Sequence, residues 1–170
     1  MGLVHVYFGD GKGKTTAALG LAFRALGGGM RVCVCQFLKG APSGEIDALS
    51  RFSRAEVLRA QFEGERFFWE MDGEARRACA SQQRELLQRA LKTSADLFVL
   101  DEALDAHCVG ALSNDELSDA VEALRARAEI ALTGRSAPEW LLSRADYITR
   151  MEKLRHPYDC GVSARRGIEY

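Results

Sequence analysis

Apolar positions along the chain recur with two periods. Short runs of four to seven residues read as buried strands: Leu3 to Phe8 (LVHVYF), Arg31 to Phe37 (RVCVCQF), Leu97 to Leu100, Glu129 to Leu132 and Tyr147 to Met151. Val57 to Phe62 is a further candidate strand. Between these runs the apolar residues space themselves three and four apart, as on one face of a helix. Thr15 to Leu26 (TTAALGLAFRAL) is the clearest case, and Gly27-Gly28-Gly29 stops it. Gly73 to Leu91 predicts a long amphipathic helix with a charged, solvated face. Shorter helices are expected over Glu45 to Phe52 and from Pro138 to Leu142. Ser113 to Arg127 should form another, with Ser113 and Glu116 spaced as a capping box.

The order strand, glycine loop, helix, strand at the start is a βαβ unit, which demands parallel strands and a right-handed crossover. Continued alternation, with no internal repeat and no low-complexity linker, predicts one α/β domain over residues 1–170. Its sheet should be mostly parallel, with helices on both faces.

Composition narrows the class. Apolar residues make up 47% of the chain, and 23 basic residues nearly balance 24 acidic ones. This describes an ordinary globular protein and argues against a general nucleic-acid binder. No uninterrupted apolar run is long enough to cross a bilayer, and no basic flank precedes an apolar run at the start. The five cysteines are odd in number and lack metal-ligand spacing, so reduced thiols in a cytoplasm are expected. Cys33 and Cys35 alternate within a strand and are read as packing residues on one face, in preference to a redox or metal pair.

The chemistry begins at Gly9-Asp10-Gly11-Lys12-Gly13-Lys14-Thr15-Thr16. Several glycines let backbone N–H groups approach phosphate closely, and the following helix adds its positive end. Lys14 can reach phosphate oxygens, and the Thr15 hydroxyl can ligate Mg²⁺. The usual G-x-x-x-x-G-K-[ST] pattern would place its first glycine at position 8, where Phe8 stands. The apolar strand ending at Asp101-Glu102 supplies a second acidic feature for the metal, as a Walker B strand does. Thr133-Gly134-Arg135 also follows a strand, so Arg135 can reach the same crevice outside the carboxyl ends of the strands. These residues specify a P-loop NTPase-like, RecA-like fold that binds a nucleoside triphosphate with Mg²⁺ (or Mn²⁺). They leave open a kinase, an ATPase and a nucleotidyl or alkyl transferase.

The stretch GDGKGKTTAALGLAFRALGGGMRV, followed by QFLKG, resembles the P-loop corrinoid adenosyltransferases of the CobA/BtuR type. So do Gly44-Glu45, Phe67 to Glu70 (FFWE), Val99 to Glu102 (VLDE), Leu132 to Arg135 (LTGR), Ala145 to Thr149 (ADYIT) and the tail HPYDCGVSARRGIEY. The matches run through essentially the whole chain in the same order. The loop form that lacks the usual first glycine is that family's own. The resemblance implies transfer of the 5′-deoxyadenosyl group of ATP to the Co(I) of a reduced corrinoid, with triphosphate leaving. It implies a triphosphate site built from residues 9–16, Lys14 included, with Arg24 and Arg135. It implies Mg²⁺ on Thr15, Asp101 and Glu102, of which Glu102 is the better ligand. Phe67 and Trp69 would fill the lower face of the corrin and exclude an axial ligand, easing reduction of Co(II). A flavin-based reductant and a homodimer are the expected partners. Read without the family, Phe67-Phe68-Trp69 is an apolar cluster that reads as core in preference to a cofactor box.

Some positions depart from the family pattern. Phe8 replaces a small polar residue, and its ring must pack against the sheet or lie beside the loop. Phe68 interrupts the aromatic motif, and the stretch after Glu102 reads ALDAHCVGAL, with His107 and Cys108 as bare candidate ligands. The competing readings are another small-molecule kinase or ATPase, and a non-catalytic carrier or sensor of adenosylcorrinoid.

Overall fold

The computed structural model describes residues 1–40, 43–60 and 68–169. In chain order the elements are β1 (Val4–Phe8), α1 (Lys14–Gly27), β2 (Val32–Gln36), α2 (Gly44–Leu49), β3 (Ala55–Arg59), α3 (Gly73–Lys92), β4 (Leu97–Asp101), α4 (Ala103–Cys108), α5 (Asn114–Arg125), β5 (Glu129–Gly134), α6 (Glu139–Leu142) and β6 (Tyr147–Arg150). Two short 3-10 turns, Phe68–Glu70 and Pro157–Cys160, complete the described elements. The strands form one six-stranded sheet in the order β3-β2-β4-β5-β1-β6, and every pairing is parallel. The expectation of a mostly parallel sheet is thus met in its strictest form.

Alternation of side chains along each strand divides the core in two. Val32, Val34, Leu97, Val99 and Ala131 point to one face, where Ala18, Leu19, Ala22 and Leu26 of α1 and Leu49 of α2 cover them. Cys33, Cys35, Phe98, Leu100, Ile130 and Leu132 point to the other, under Leu86 and Leu87 of α3 and Leu117, Val121 and Leu124 of α5. Burial on both faces explains why these strands read as continuous apolar runs. Cys33 and Cys35 sit side by side with Sγ atoms 3.7 Å apart, packed as expected. The Phe8 ring packs against the second of these clusters, so it belongs to the sheet and not to the loop.

Local signals fix the helix ends. The predicted capping box is present: Ser113 Oγ accepts from Glu116 N, and Glu116 Oε2 accepts from Ser113 N. The Asp72 carboxylate caps α3 by accepting from Glu74 N and Ala75 N. Helix α4 has no strong periodic signal and was not expected. It follows directly from Glu102, whose backbone turns through φ 58°. None of the described helices is long and apolar enough to cross a membrane.

The entrances of β2 and β4 are tied by a fork between Arg31 and Asp96, with Nη2 to Oδ1 2.7 Å and backbone N to Oδ2 2.8 Å. These bonds from Arg31 hold the Asp96 carboxyl at a pKa of about 2. A depressed carboxyl stabilises the fold fully above its unfolded range, near pH 4, and that contribution disappears as pH falls through about 2. Arg31→Gln, which removes the guanidinium but keeps the backbone N–H bond, is expected to raise the Asp96 pKa toward the ordinary aspartate range in an NMR pH titration, and to start acid unfolding at a higher pH.

Candidate functional site

All six strands end at the same edge of the sheet, so the loops after them converge. The first of these is the glycine loop between β1 and α1. Gly9 and Gly13 adopt φ 117° and 109°, backbone that glycine tolerates and other residues rarely adopt. The first turn of α1 carries no acidic residue, which leaves its positive end unneutralised. Lys14 Nζ donates to the Gly11 carbonyl at 2.7 Å.

The chain beyond β6 runs along the outside of this loop. Met151 N donates to Phe8 O at 2.7 Å, and Gly11 N donates to Met151 O at 2.8 Å. Lys153 N donates to Asp10 Oδ1 at 3.2 Å, and Lys12 Nζ donates to Ile168 O at 3.2 Å. A Cβ added at Gly9 would strike the Met151 carbonyl, and one at Gly11 would come within 2.8 Å of the Glu152 carbonyl carbon. The glycines at 9 and 11 are therefore demanded by the tail. The N–H groups of Gly9 and Gly11 are engaged by Arg135 O and Met151 O. The amides opening α1 are left by helix geometry without intrahelical partners, an arrangement that suits an anion.

The second component is a buried carboxylate. Asp101 ends β4, and its side chain has no solvent exposure. The register sets Gln36 of β2 opposite it. Asp101 Oδ1 accepts from Thr15 Oγ1 and Thr133 Oγ1, each at 2.8 Å. Oδ2 accepts from Lys39 Nζ at 2.7 Å and Gln36 Nε2 at 3.3 Å. Thr133 Oγ1 in turn accepts from Glu102 N at 2.8 Å, holding Glu102 in its left-handed conformation. Lys39 Nζ also reaches Glu102 Oε1 at 3.1 Å and Thr15 Oγ1 at 3.2 Å.

The donor set is oxygen only: a hydroxyl and two carboxylates, with Gln36 Oε1 buried beside them and lacking a hydrogen-bond partner among the described residues. Hard oxygen donors suit Mg²⁺ or Mn²⁺. Among the described residues no group of three or more His, Cys, Asp or Glu side chains could hold a metal. An ion here would complete its shell from substrate phosphates and water, as Mg²⁺ commonly does.

Burial lowers the Lys14 pKa and Arg135 adds to that effect, while Asp105 and Glu102 oppose it. Burial raises the Glu102 pKa against the opposing pull of Lys39. Burial alone would lower Lys39, but Asp101 and Glu102 outweigh it and raise the value.

The family model described as ATP:corrinoid adenosyltransferase BtuR/CobO/CobP matches residues 1–170. The chain belongs to this family. It is 35% identical to the corrinoid adenosyltransferase of Pseudomonas aeruginosa, over 99% of this chain and 84% of that one. It is 33% identical to the Escherichia coli K12 corrinoid adenosyltransferase, over 99% and 86%. It is 34% identical to the corrinoid adenosyltransferase CobA of Salmonella typhimurium, again over 99% and 86%.

The structure brings together Lys14, Thr15, Asp101 and Glu102 of the adenosyltransferase residues expected from sequence. Arg135 stands nearby, its N–H donating to Asp105 Oδ1 at 3.0 Å, and its charge acts on Lys14. Asp10 and Lys12 are exposed on the loop and face the tail, and Thr16 is exposed in the first turn of α1. Arg24 does not join this group. It is exposed in the last turn of α1, about 15 Å of helix rise beyond Lys14. His107 bonds the Leu112 carbonyl at 3.2 Å and does not join it either. Phe67 and the side chain of Trp69 lie outside the described residues.

Sequence reasoning missed Lys39, Thr133, Gln36 and Asp105. Gln36 and Lys39 lie in the QFLKG stretch and Thr133 in LTGR, both matched to the family without a role, and strand alternation toward Asp101 was the further signal for Gln36 and Thr133. Lys39 had no periodic signal at all.

Replacing Gly11 by Ala should displace the Met151–Glu152 backbone and destabilise the fold by about 1–3 kcal/mol, as overpacking does. Limited proteolysis is expected to cut the tail faster in Gly11→Ala, together with weaker ATP binding by calorimetry.

Proposed function

We propose that this protein transfers the 5′-deoxyadenosyl group of ATP to the Co(I) centre of a reduced corrinoid. The observation that carries the reading is the full-length match to the adenosyltransferase family. Co(I) donates its electron pair to C5′ of the ribose, forming the Co–C bond. The C5′–O bond breaks, and inorganic triphosphate departs with that electron pair.

The residues present suit a leaving-group site. Negative charge grows on the departing triphosphate, and groups already aimed at it stabilise the transition state more than the ground state. Lys14, the opening amides of α1 and Arg135 would supply that field. Thr15 and Glu102 would hold Mg²⁺, with Asp101 fixing Thr15 from behind. When bound, the ion supplies further positive charge to the triphosphate. Asp105 accepts from Arg135 N and so positions the turn that presents Arg135. Phe67 and Trp69 remain the candidates for the lower face of the corrin. Co(I) must come from a one-electron reductant, a reduced flavin or flavoprotein in this reading, and the working assembly would be a homodimer.

Anaerobic mixing of the protein with chemically reduced cob(I)alamin and MgATP tests the reading. The expected outcome is light-sensitive adenosylcobalamin with equimolar triphosphate, at a rate lowered at least about 100-fold in Lys14→Ala. Formation of ADP without a corrinoid product would overturn the transferase in favour of a kinase or ATPase. Binding of both ligands without turnover would leave a carrier.

A further inference from the structure

Lys39 is the least expected member of the site. It follows β2 on an irregular segment, yet its ammonium lies 2.7 Å from Asp101 Oδ2, 3.1 Å from Glu102 Oε1 and 3.2 Å from Thr15 Oγ1. Thr15 and Glu102 are the residues assigned above to the metal, and Asp101 holds Thr15 from behind. A Mg²⁺ or Mn²⁺ ion needs oxygens at about 2.0–2.2 Å. An ion that took the Thr15 and Glu102 oxygens would compete with the Lys39 ammonium for them and be repelled by it at this range.

The backbone argues that this placement is built in. Leu38 takes φ 53°, a left-handed conformation unfavourable for a leucine. It is held there by the buried Gln83 of α3, whose Oε1 accepts from Leu38 N at 3.0 Å. The Lys39 carbonyl accepts from Arg59 Nη2 of β3 at 3.4 Å. Strained backbone persists where its surroundings over-determine it, and such positions cluster at functional sites. Here the strain aims one ammonium at two carboxylates.

We propose that Lys39 couples metal entry to triphosphate binding. This rests on the metal assignment in the proposed function. An ion arriving alone must break both ion pairs of Lys39 and leave its ammonium without an anionic partner. A triphosphate on the glycine loop offers that ammonium new oxygens a short side-chain swing away. Exchange of one cation for the other then becomes favourable. The arrangement keeps divalent ions off the carboxylates until the nucleotide is present, and gives the departing triphosphate a second lysine beside Lys14.

The test is Mn²⁺ binding followed by electron paramagnetic resonance, without nucleotide and with ATP, in wild type, Lys39→Met and Lys39→Arg. The wild type is expected to bind Mn²⁺ weakly alone. Lys39→Met should bind it at least about tenfold tighter without nucleotide, as coupling between close charges implies. Lys39→Arg, which keeps the charge, should remain near wild type. Calorimetry with tripolyphosphate in EDTA should show about tenfold weaker binding in Lys39→Met, a change that a merely structural role with unaltered folding would not produce alongside tighter Mn²⁺. Should Lys39→Met fail to fold, Lys39→Gln takes its place with the same expectations. Equal or weaker Mn²⁺ binding in the uncharged variants would overturn the exchange and leave the transferase reading standing. A wild type that binds no Mn²⁺ even with ATP would overturn the exchange and the metal assignment together, whereas adenosyl transfer is scored separately by its corrinoid product.

Discussion

A carboxylate with no access to water must find its partners inside the protein, and Asp101 finds four. Thr15 comes from the first turn of α1, Gln36 from the end of β2 and Lys39 from just beyond it, and Thr133 from β5. Removing one partner from a buried ionic group costs about 3–5 kcal/mol, because the charge left behind has nowhere to go. That penalty fixes the relative positions of three strand ends and the first turn of α1. The glycine loop is therefore set by the middle of the sheet on one side and by the tail on the other.

The same constraint orders the chemistry around it. Thr133 relays between Asp101 and the Glu102 amide, so Glu102 leaves the sheet in a left-handed turn and α4 begins at once. That turn brings the Glu102 carboxylate beside Lys39 and places Asp105 under the Arg135 amide. One buried group thus determines where two acids and two bases meet. Their mutual effects on acidity follow from proximity and burial together, with Lys14 lowered and Lys39 raised in neighbouring positions.

What could be read from sequence was whatever depends on neighbours in the chain. Strand and helix periods gave the α/β order, and the capping box at Ser113 located α5, because both are local patterns. The loop and the acid pair at Asp101-Glu102 were legible for the same reason. Lys39 was not, since its meaning depends on the φ of Leu38 and on β2 lying beside β4. The reason for Gly9 and Gly11 was hidden as well, because the atoms that forbid a side chain there belong to residues 151 and 152. Arg24 was carried over from the family motif, and its ten-residue separation from Lys14 on one helix already sets it along α1 from the loop.

The tail contacts carry a consequence for how the molecule comes into being. Lys12 bonds the carbonyl of Ile168 and pairs with Glu169 at 3.6 Å. Contacts between segments so far apart in sequence close late in folding. During synthesis, which proceeds from the N-terminus, residues 9–16 emerge early but cannot take up this setting until residue 169 has cleared the ribosome. A nascent chain would hold β1 without its strand neighbours β5 and β6, and the nucleotide loop would stay unset until those later segments had joined it.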